Sequence, residues 1–205
     1  MDFRVTKEKQ DDEKEQERAV SAEIYFERGS RYLALKKYKD AIDNFQKALE
    51  LDKGDFETRF NLAVTYFHSG KYDKALEVFD ELVKEGRGDQ DLFFNIGSIY
   101  LERGDYRKAV ENLEKCIQLD ELYLEGFVNL GNAHFYLQEY DDAIKNYDIS
   151  IKLNPQNADY FVNRGLAYMG KGDNATAVAD LEKALSLDPS NNKAKLNLQK
   201  IESES

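Results

Sequence analysis

The chain has 205 residues, of which 41% are hydrophobic, and its formal net charge at pH 7 is −11. Non-specific binding to nucleic acid or to an anionic membrane needs a basic patch, so this acidic balance argues against both kinds of partner. A single cysteine, Cys116, excludes an internal disulfide, and we expect a buried small side chain there rather than a reactive thiol.

Residues 1–20 form a charged N-terminal extension, rich in Asp, Glu, Lys and Arg. The extension has no apolar run, so we expect neither a signal peptide nor a membrane anchor, and by default a cytoplasmic location. Two structures fit its composition. It either extends the first helix backwards, from about Asp11, or is partly disordered.

Residues 21–191 carry a repeat with a period of 34 residues. The five repeats span about 22–55, 56–89, 90–123, 124–157 and 158–191. A small residue stands at the same place in each repeat: Gly29, Ala63, Gly97, Gly131 and Gly165. An aromatic column follows, with Tyr32, Tyr66, Tyr100, His134 and Tyr168, and then an alanine column, with Ala41, Ala75, Ala109, Ala143 and Ala177. Pro155 and Pro189 close the last two repeats.

This period and this order of columns resemble the tetratricopeptide repeat (TPR) family over about residues 22–190. The resemblance implies an all-α fold, a right-handed α-solenoid of five helix-turn-helix units whose first helices line a concave groove. The family's tryptophan column is absent, since Tyr25, Arg59, Phe93, Phe127 and Phe161 stand there.

Each repeat is predicted to form two antiparallel helices. The first ends near Gly70, Gly104 or Gly172 in the repeats that have this glycine, which suits the left-handed conformation at a helix end. Residues 192–205 place Ala194, Leu198 and Ile201 at helical spacing, which predicts a C-terminal capping helix over the last repeat, followed by a short tail.

The candidate binding residues lie on the side of each first helix that does not pack within its own repeat. An acidic column holds Glu23, Glu57, Asp91, Glu125 and Asp159; an apolar column holds Phe26, Phe60, Phe94, Val128 and Val162; and an amide column holds Asn61, Asn95, Asn129 and Asn163. His68, Asn132 and Tyr136 belong to the same face.

Each column has a structural alternative. The acidic residues follow predicted N-caps such as Asp55, Asp89 and Asn157. They therefore stabilise the helix through its dipole, repel acidic ligands, or do both. The apolar residues either line the groove or belong to the core between repeats.

The amide column is unfavourable for helix formation, by about 0.5–0.7 kcal/mol per asparagine relative to alanine. A carboxamide offers a donor and an acceptor to a peptide main chain. The arrangement resembles the concave asparagine ladder of O-linked N-acetylglucosamine transferase. Alternatively, each amide bonds a neighbouring helix.

The sequence contains no phosphate loop, nucleophile elbow or metal-ligand cluster, so we expect no catalytic residues, no metal and no cofactor. We therefore expect a non-catalytic module that binds an extended, non-acidic peptide segment of a partner protein. The alternative is an assembly scaffold that docks folded partners, or itself, through convex or terminal surfaces. The oligomeric state is left open.

Overall fold

A computed structural model of the chain describes residues 2–204, and the side chains of residues 14–203. The regular structure of this described part is entirely α-helical, which confirms the predicted all-α fold. The helices group into two compact units, Met1–Gly88 and Asp89–Ser205, where the sequence predicts one array. The boundary falls in the loop Gly86-Arg87-Gly88, where Arg87 stands at the position of the closing proline of later repeats.

The first unit contains four helices. They are α1 (Asp2–Ala34), α2 (Tyr38–Leu51), α3 (Phe56–His68) and α4 (Tyr72–Lys84). Each helix packs on the next along the chain, and α1 also touches α3. The backbone of α1 is helical from Asp2, and the side chains of residues 14–20 are exposed. The side chains of residues 1–13 of the predicted extension lie outside the described part.

The second unit contains seven helices. They are α5 (Gln90–Glu102), α6 (Tyr106–Leu119), α7 (Leu124–Tyr136), α8 (Tyr140–Leu153), α9 (Ala158–Lys171), α10 (Asn174–Leu187) and α11 (Asn192–Glu204). Successive helices pack in antiparallel pairs, and α7 touches both α5 and α9. The second helices of the first four repeats each begin at a tyrosine, which is Tyr38, Tyr72, Tyr106 or Tyr140.

The first helices end as the glycine positions predict. Gly70, Gly104 and Gly172 have φ angles of 75°, 77° and 86°, which confirms the left-handed conformation. In the other two repeats Lys36 (φ 57°) and Gln138 (φ 61°) take the same conformation at the same register. An L-residue there loses about 1–2 kcal/mol relative to the right-handed region, so these two turns are strained.

The small-residue column lets the two helices of a repeat approach closely. A β-carbon at Gly29 would lie 2.7 Å from the Phe45 ring, and one at Gly131 would lie 2.6 Å from Cε1 of Tyr147. Both rings are buried, so a larger residue at either glycine would have to displace a packed aromatic side chain.

Helix α11 completes the core at the end of the second unit. Ala194 and Ile201 are buried at 0% and 5% exposure beside Phe161 and Leu181, and Leu198 packs against the same cluster. One side of α11 therefore covers the apolar surface that α9 and α10 would otherwise leave open.

An ion-pair network joins three helices of the second unit. Arg164 on α9 donates from Nε and Nη2 to the carboxylate of Asp180 on α10, at 2.8 and 2.6 Å, and from Nη1 to Asp148 on α8 at 2.5 Å. Hydrogen bonding to Asp180 raises the pKa of the guanidinium above its ordinary value. Arg164 occupies a register that holds Leu62 and Leu130 in other repeats, so a charged pair replaces an apolar contact.

Candidate functional site

The predicted binding columns lie on the first helices of the repeats, which are α1 and α3 in the first unit and α5, α7 and α9 in the second. We call the acidic, apolar and amide columns, together with His68, Asn132 and Tyr136, the first-helix face. Because α5 touches α7 and α7 touches α9, the columns of the second unit occupy adjacent helices.

The N-caps that were predicted from sequence are confirmed. The side chains of Asp55 and Asp89 each accept a hydrogen bond of 2.8 Å from the backbone N–H three residues later, and Asn157 accepts one of 2.9 Å from Asp159. Glu57, Asp91, Glu125 and Asp159 therefore stand in the first turn of their helices, where a carboxylate interacts favourably with the helix dipole, whereas Glu23 lies in the interior of the long helix α1.

Two carboxylates of the acidic column also accept a hydrogen bond from the last residue of their own repeat. Asp91 accepts a hydrogen bond from the Tyr123 hydroxyl at 2.7 Å, and Asp159 accepts one from Asn191 Nδ2 at 3.1 Å. Burial, with the nearby Asp91, raises the pKa of Tyr123 above its ordinary value. Tyr123 directly precedes α7 and Asn191 directly precedes α11. The sequence did not predict either of these two hydrogen bonds. Asp91 and Asp159 remain exposed.

The apolar column of the first unit is shared between core and surface. The Phe26 ring lies 6.0 Å from that of Phe45, and the Phe60 ring lies 5.7 Å, edge to face, from that of Phe79. Phe26 and Phe60 are half-buried, so each packs on the second helix of its own repeat and still presents part of its ring to solvent.

In the second unit the apolar column differs from repeat to repeat. Phe94 packs against Tyr123 at 5.2 Å and, like Val128, is half-buried. Val162 is 0% exposed and belongs to the core cluster that α11 completes. The structure therefore places Val162 in the core, and we remove it from the candidate surface.

The first two asparagines of the amide column bond to their own helices. Asn61 Nδ2 donates to the Glu57 carbonyl at 2.9 Å, and Asn95 Nδ2 donates to the Asp91 carbonyl at 2.7 Å. Each bond uses one of the two N–H groups and leaves the carboxamide oxygen without a donor among the described residues.

The other two asparagines behave differently from each other. Asn129 Nδ2 donates to the Ser98 hydroxyl on α5 at 3.0 Å, which is the predicted alternative of a bond to a neighbouring helix. Asn163 is half-buried, and its side chain makes no hydrogen bond to any described residue. The column thus mixes one structural amide with amides that keep hydrogen-bonding capacity.

The remaining candidate residues are held by aromatic contacts and one hydrogen bond. His68 is exposed and stacks 6.3 Å from Tyr38. Asn132 Oδ1 accepts a hydrogen bond of 2.8 Å from the buried Tyr147. Tyr136 is 57% exposed, and its ring stacks on another tyrosine, that of Tyr106, at 4.8 Å. Of the three residues, Asn132 thus has a clear structural role.

A cavity of about 290 Å³ lies on this side of the first unit. Four carboxylates and one ring line it together with small residues: Glu23, Asp52, Asp55, Glu57, Phe26, Ala19, Ala22, Ala48 and Thr58. Carboxylates and apolar side chains in one lining suit a basic or neutral side chain with an aliphatic stem better than an acidic one.

The described part of the chain contains a buried cysteine and no cluster of metal ligands. Cys116 is 0% exposed, and burial raises the pKa of its thiol to about 12, so the nucleophilic thiolate is scarce at neutral pH. Between residues 14 and 203, no cluster of three His, Cys, Asp or Glu side chains is arranged to hold a metal ion. None of the described helices has both the length and the apolarity needed to span a bilayer.

Comparison with solved structures finds the same fold in several TPR proteins. A MamA crystal structure is 26% identical, with a TM-score of 0.74, and the match covers 84% of this chain and 94% of MamA. MamA from Desulfovibrio magneticus RS-1 is 21% identical, with a TM-score of 0.78 and coverage of 84% and 97%. YrrB is 23% identical, with a TM-score of 0.74 and coverage of 86% and 90%.

Family models give the same result from sequence, although no curated protein matches the chain. Models described as tetratricopeptide repeat match residues 32–93, 90–121 and 158–191, and one described as TPR repeat matches residues 131–172. With its 34-residue period, its paired helices and these matches, the chain belongs to the tetratricopeptide repeat family.

Proposed function

We propose that the chain is a non-catalytic protein-binding module that holds an extended peptide segment of a partner on the first-helix face of its second unit. TPR proteins of this fold are protein–protein interaction modules, and YrrB, one of the structural neighbours, is a TPR protein with an unusual peptide-binding site. The proposal for this chain rests on its own residues. Its cytoplasmic location stays a prediction.

The observation that carries the proposal is the hydrogen-bonding capacity left in the amide column of the second unit. Asn95 keeps an N–H and its carboxamide oxygen, and Asn163 keeps its whole carboxamide, on helices that flank α7. A peptide main chain alternates C=O and N–H groups, so such carboxamides can bond it whatever its side chains are.

The charges around these amides favour a ligand that is not acidic along most of its length. Asp91, Glu125 and Asp159 are exposed on α5, α7 and α9. Like charges placed opposite these carboxylates would disfavour binding, whereas basic groups would gain an attraction that weakens as salt rises.

The test begins with peptides selected on the full chain from a random 12-residue display library. Affinity for a selected peptide is then measured by calorimetry for the double variant Asn95→Ala/Asn163→Ala. We expect a loss of about 1–3 kcal/mol, at about 0.5–1.5 per net hydrogen bond. Asn129 is left unchanged because its removal would also leave the Ser98 hydroxyl without its partner.

Asn112 provides a matched control. It lies on α6, a second helix, and its Nδ2 donates to the Lys108 carbonyl at 2.9 Å, the same local bond that Asn95 makes. Asn112→Ala should leave the affinity unchanged. If the double variant stays folded by circular dichroism and binds the selected peptides as tightly as the original chain, peptide-backbone recognition by these amides is refuted.

One surface favours the scaffold alternative. Val20 and Ile24 on α1 are 57% and 45% exposed, whereas Thr58, which has the register of Ile24 in the next repeat, is 2% exposed. This side of α1 is therefore an apolar terminal surface. If the chain docks through it, Ile24→Lys should abolish concentration-dependent association in sedimentation velocity and leave peptide binding intact, whereas a chain that stays monomeric at all concentrations argues against self-docking.

A further inference from the structure

The C-terminal helix α11 repeats the binding columns as well as covering the core. In the 34-residue register, Lys193 stands where α9 has Asp159, Leu196 where it has Val162, and Asn197 where it has Asn163. The buried side chains of α11, Ala194 and Ile201, fall on the opposite part of the helix.

The exposed side of α11 has the features of a binding surface. Leu196 is 65% exposed, and Lys193 and Lys200 are exposed. Asn197 Nδ2 donates to the Lys193 carbonyl at 2.8 Å, as Asn95 does to the Asp91 carbonyl. At 100° per residue these four α11 side chains fall on one side of the helix, and the two lysines are about 10 Å apart along its axis.

Helix α11 is also adjacent to the first-helix face of the second unit, because it touches α9. The amide column of the second unit thus gains a fourth member, Asn197. Along the successive helices α5, α7, α9 and α11 the first-turn charge is negative three times and then positive, at Lys193.

The two lysines are not neutralised within the described part of the chain. Neither Lys193 nor Lys200 forms an ion pair with any described side chain between residues 14 and 203. By contrast Lys145 on α8 pairs with Asp142 at 2.8 Å, and Lys171 on α9 pairs with Asp141 at 2.5 Å. Lys193 and Lys200, which form no ion pair with the described side chains, lie next to an amide and an exposed leucine. Together these residues form a surface complementary to carboxylates.

We propose that α11 binds the acidic end of the extended peptide, and that this fixes the direction in which the peptide lies. The inference rests on the proposed function, because it adds a final contact to the same ligand. Acidic residues at one end meet Lys193 and Lys200, while the rest of the peptide, neutral or basic, crosses the carboxylates of α9, α7 and α5. The ligand therefore has a charge polarity, rather than being non-acidic throughout.

The test uses three peptide libraries with the same random 12-residue segment. One carries three glutamates at its N-terminal end, one carries them at its C-terminal end, and one carries serines in their place at both ends. Selection on the full chain should enrich one glutamate library over the serine library and over the opposite orientation. Equal enrichment of all three libraries would overturn the proposal.

Variants then locate the contact. For peptides from the enriched library, Lys193→Ser/Lys200→Ser should weaken binding about 3- to 10-fold in low salt, the range expected for two exposed ion pairs. Lys195→Ser is the matched control, because Lys195 is exposed on α11 but lies about 200° around the axis from Lys193. It should change binding by less than about twofold.

The outcomes distinguish the two proposals. Peptides that bind and depend on Asn95 and Asn163, but not on Lys193 and Lys200, would overturn the role of α11 and leave the proposed function standing. An equal loss of affinity in the Lys195→Ser control would also overturn the role of α11, because the loss would then follow from the change in net charge. If no library yields a binder, both proposals fail.

Discussion

Replacing Asp180 with alanine should destabilise the second unit more than any surface substitution. Asp180 is 5% exposed and accepts two hydrogen bonds from Arg164, whose side chain is 22% exposed. The change would leave a largely buried guanidinium with only Asp148 as a partner. The loss of a native buried ion pair by truncation of one member costs about 3–5 kcal/mol.

The remaining exposure of Arg164 and its bond to Asp148 should reduce this cost to about 2–3 kcal/mol. For a chain of this length such a loss lowers the Tm by roughly 5–10 °C. The double variant Arg164→Leu/Asp180→Val should recover most of the loss, because an apolar pair of similar volume replaces a buried ion pair with little penalty. The second repeat already has this pair, Leu62 and Val78, at the same register.

Thermal unfolding monitored by circular dichroism is a sufficient assay, with Lys145→Ala as the control. Lys145 forms an exposed pair with Asp142, so its removal should shift the Tm by no more than about 2 °C. Two results would refute the reasoning: an Asp180→Ala variant as stable as this control, or a double variant no more stable than the single one.

Three further changes test other contacts. Gly131→Leu should lower the free energy of unfolding by several kcal/mol, because a β-carbon there would lie 2.6 Å from Tyr147. The control Gly54→Ala, where no atom lies closer than 3.6 Å to the added β-carbon, should cost under 1 kcal/mol. Equal shifts of the two variants in thermal melts would contradict the close contact at Gly131. Gln138→Gly should raise stability to urea by about 0.5–1 kcal/mol by relieving its positive φ, and a loss would argue against strain. Hydrogen bonds from His134 and Arg107 lower the pKa of Glu139 below its ordinary value of 4.5, so the ionised carboxylate stabilises the fold and this stabilisation is lost as the pH falls. Glu139→Gln should therefore lower the Tm at pH 7 and not near pH 3. A Tm difference that does not depend on pH would refute this linkage.

The sequence predicts most of the fold because each packing position occurs at the same register in several repeats. Gly29 and Gly131 identify the close helix contacts, and Gly70 identifies the left-handed turn. Lys36 and Gln138 adopt that turn without a glycine, and only the register of the other repeats points to them. Local residue preference alone would have missed both turns.

The site is less predictable, because helical register gives the face of a residue but not the neighbour that covers it. Val162 and Val128 share a column, yet Val162 is fully buried next to the helix α11 at the end of the array. Asn129 and Asn163 also share a column, and only Asn129 has a serine hydroxyl within reach. Both differences come from tertiary contacts that a single repeat does not encode.

The local bonds of the asparagines have a consequence for the thermodynamics of binding. Asn61, Asn95 and Asn197 hold their carboxamides against the carbonyl four residues earlier on the same helix. Such a side chain has already lost most of its rotamer freedom before a partner arrives. Ordering a flexible side chain at an interface costs about 0.5–1.5 kcal/mol. Because these amides are already ordered, most of this entropic cost would not reduce the free energy of peptide binding.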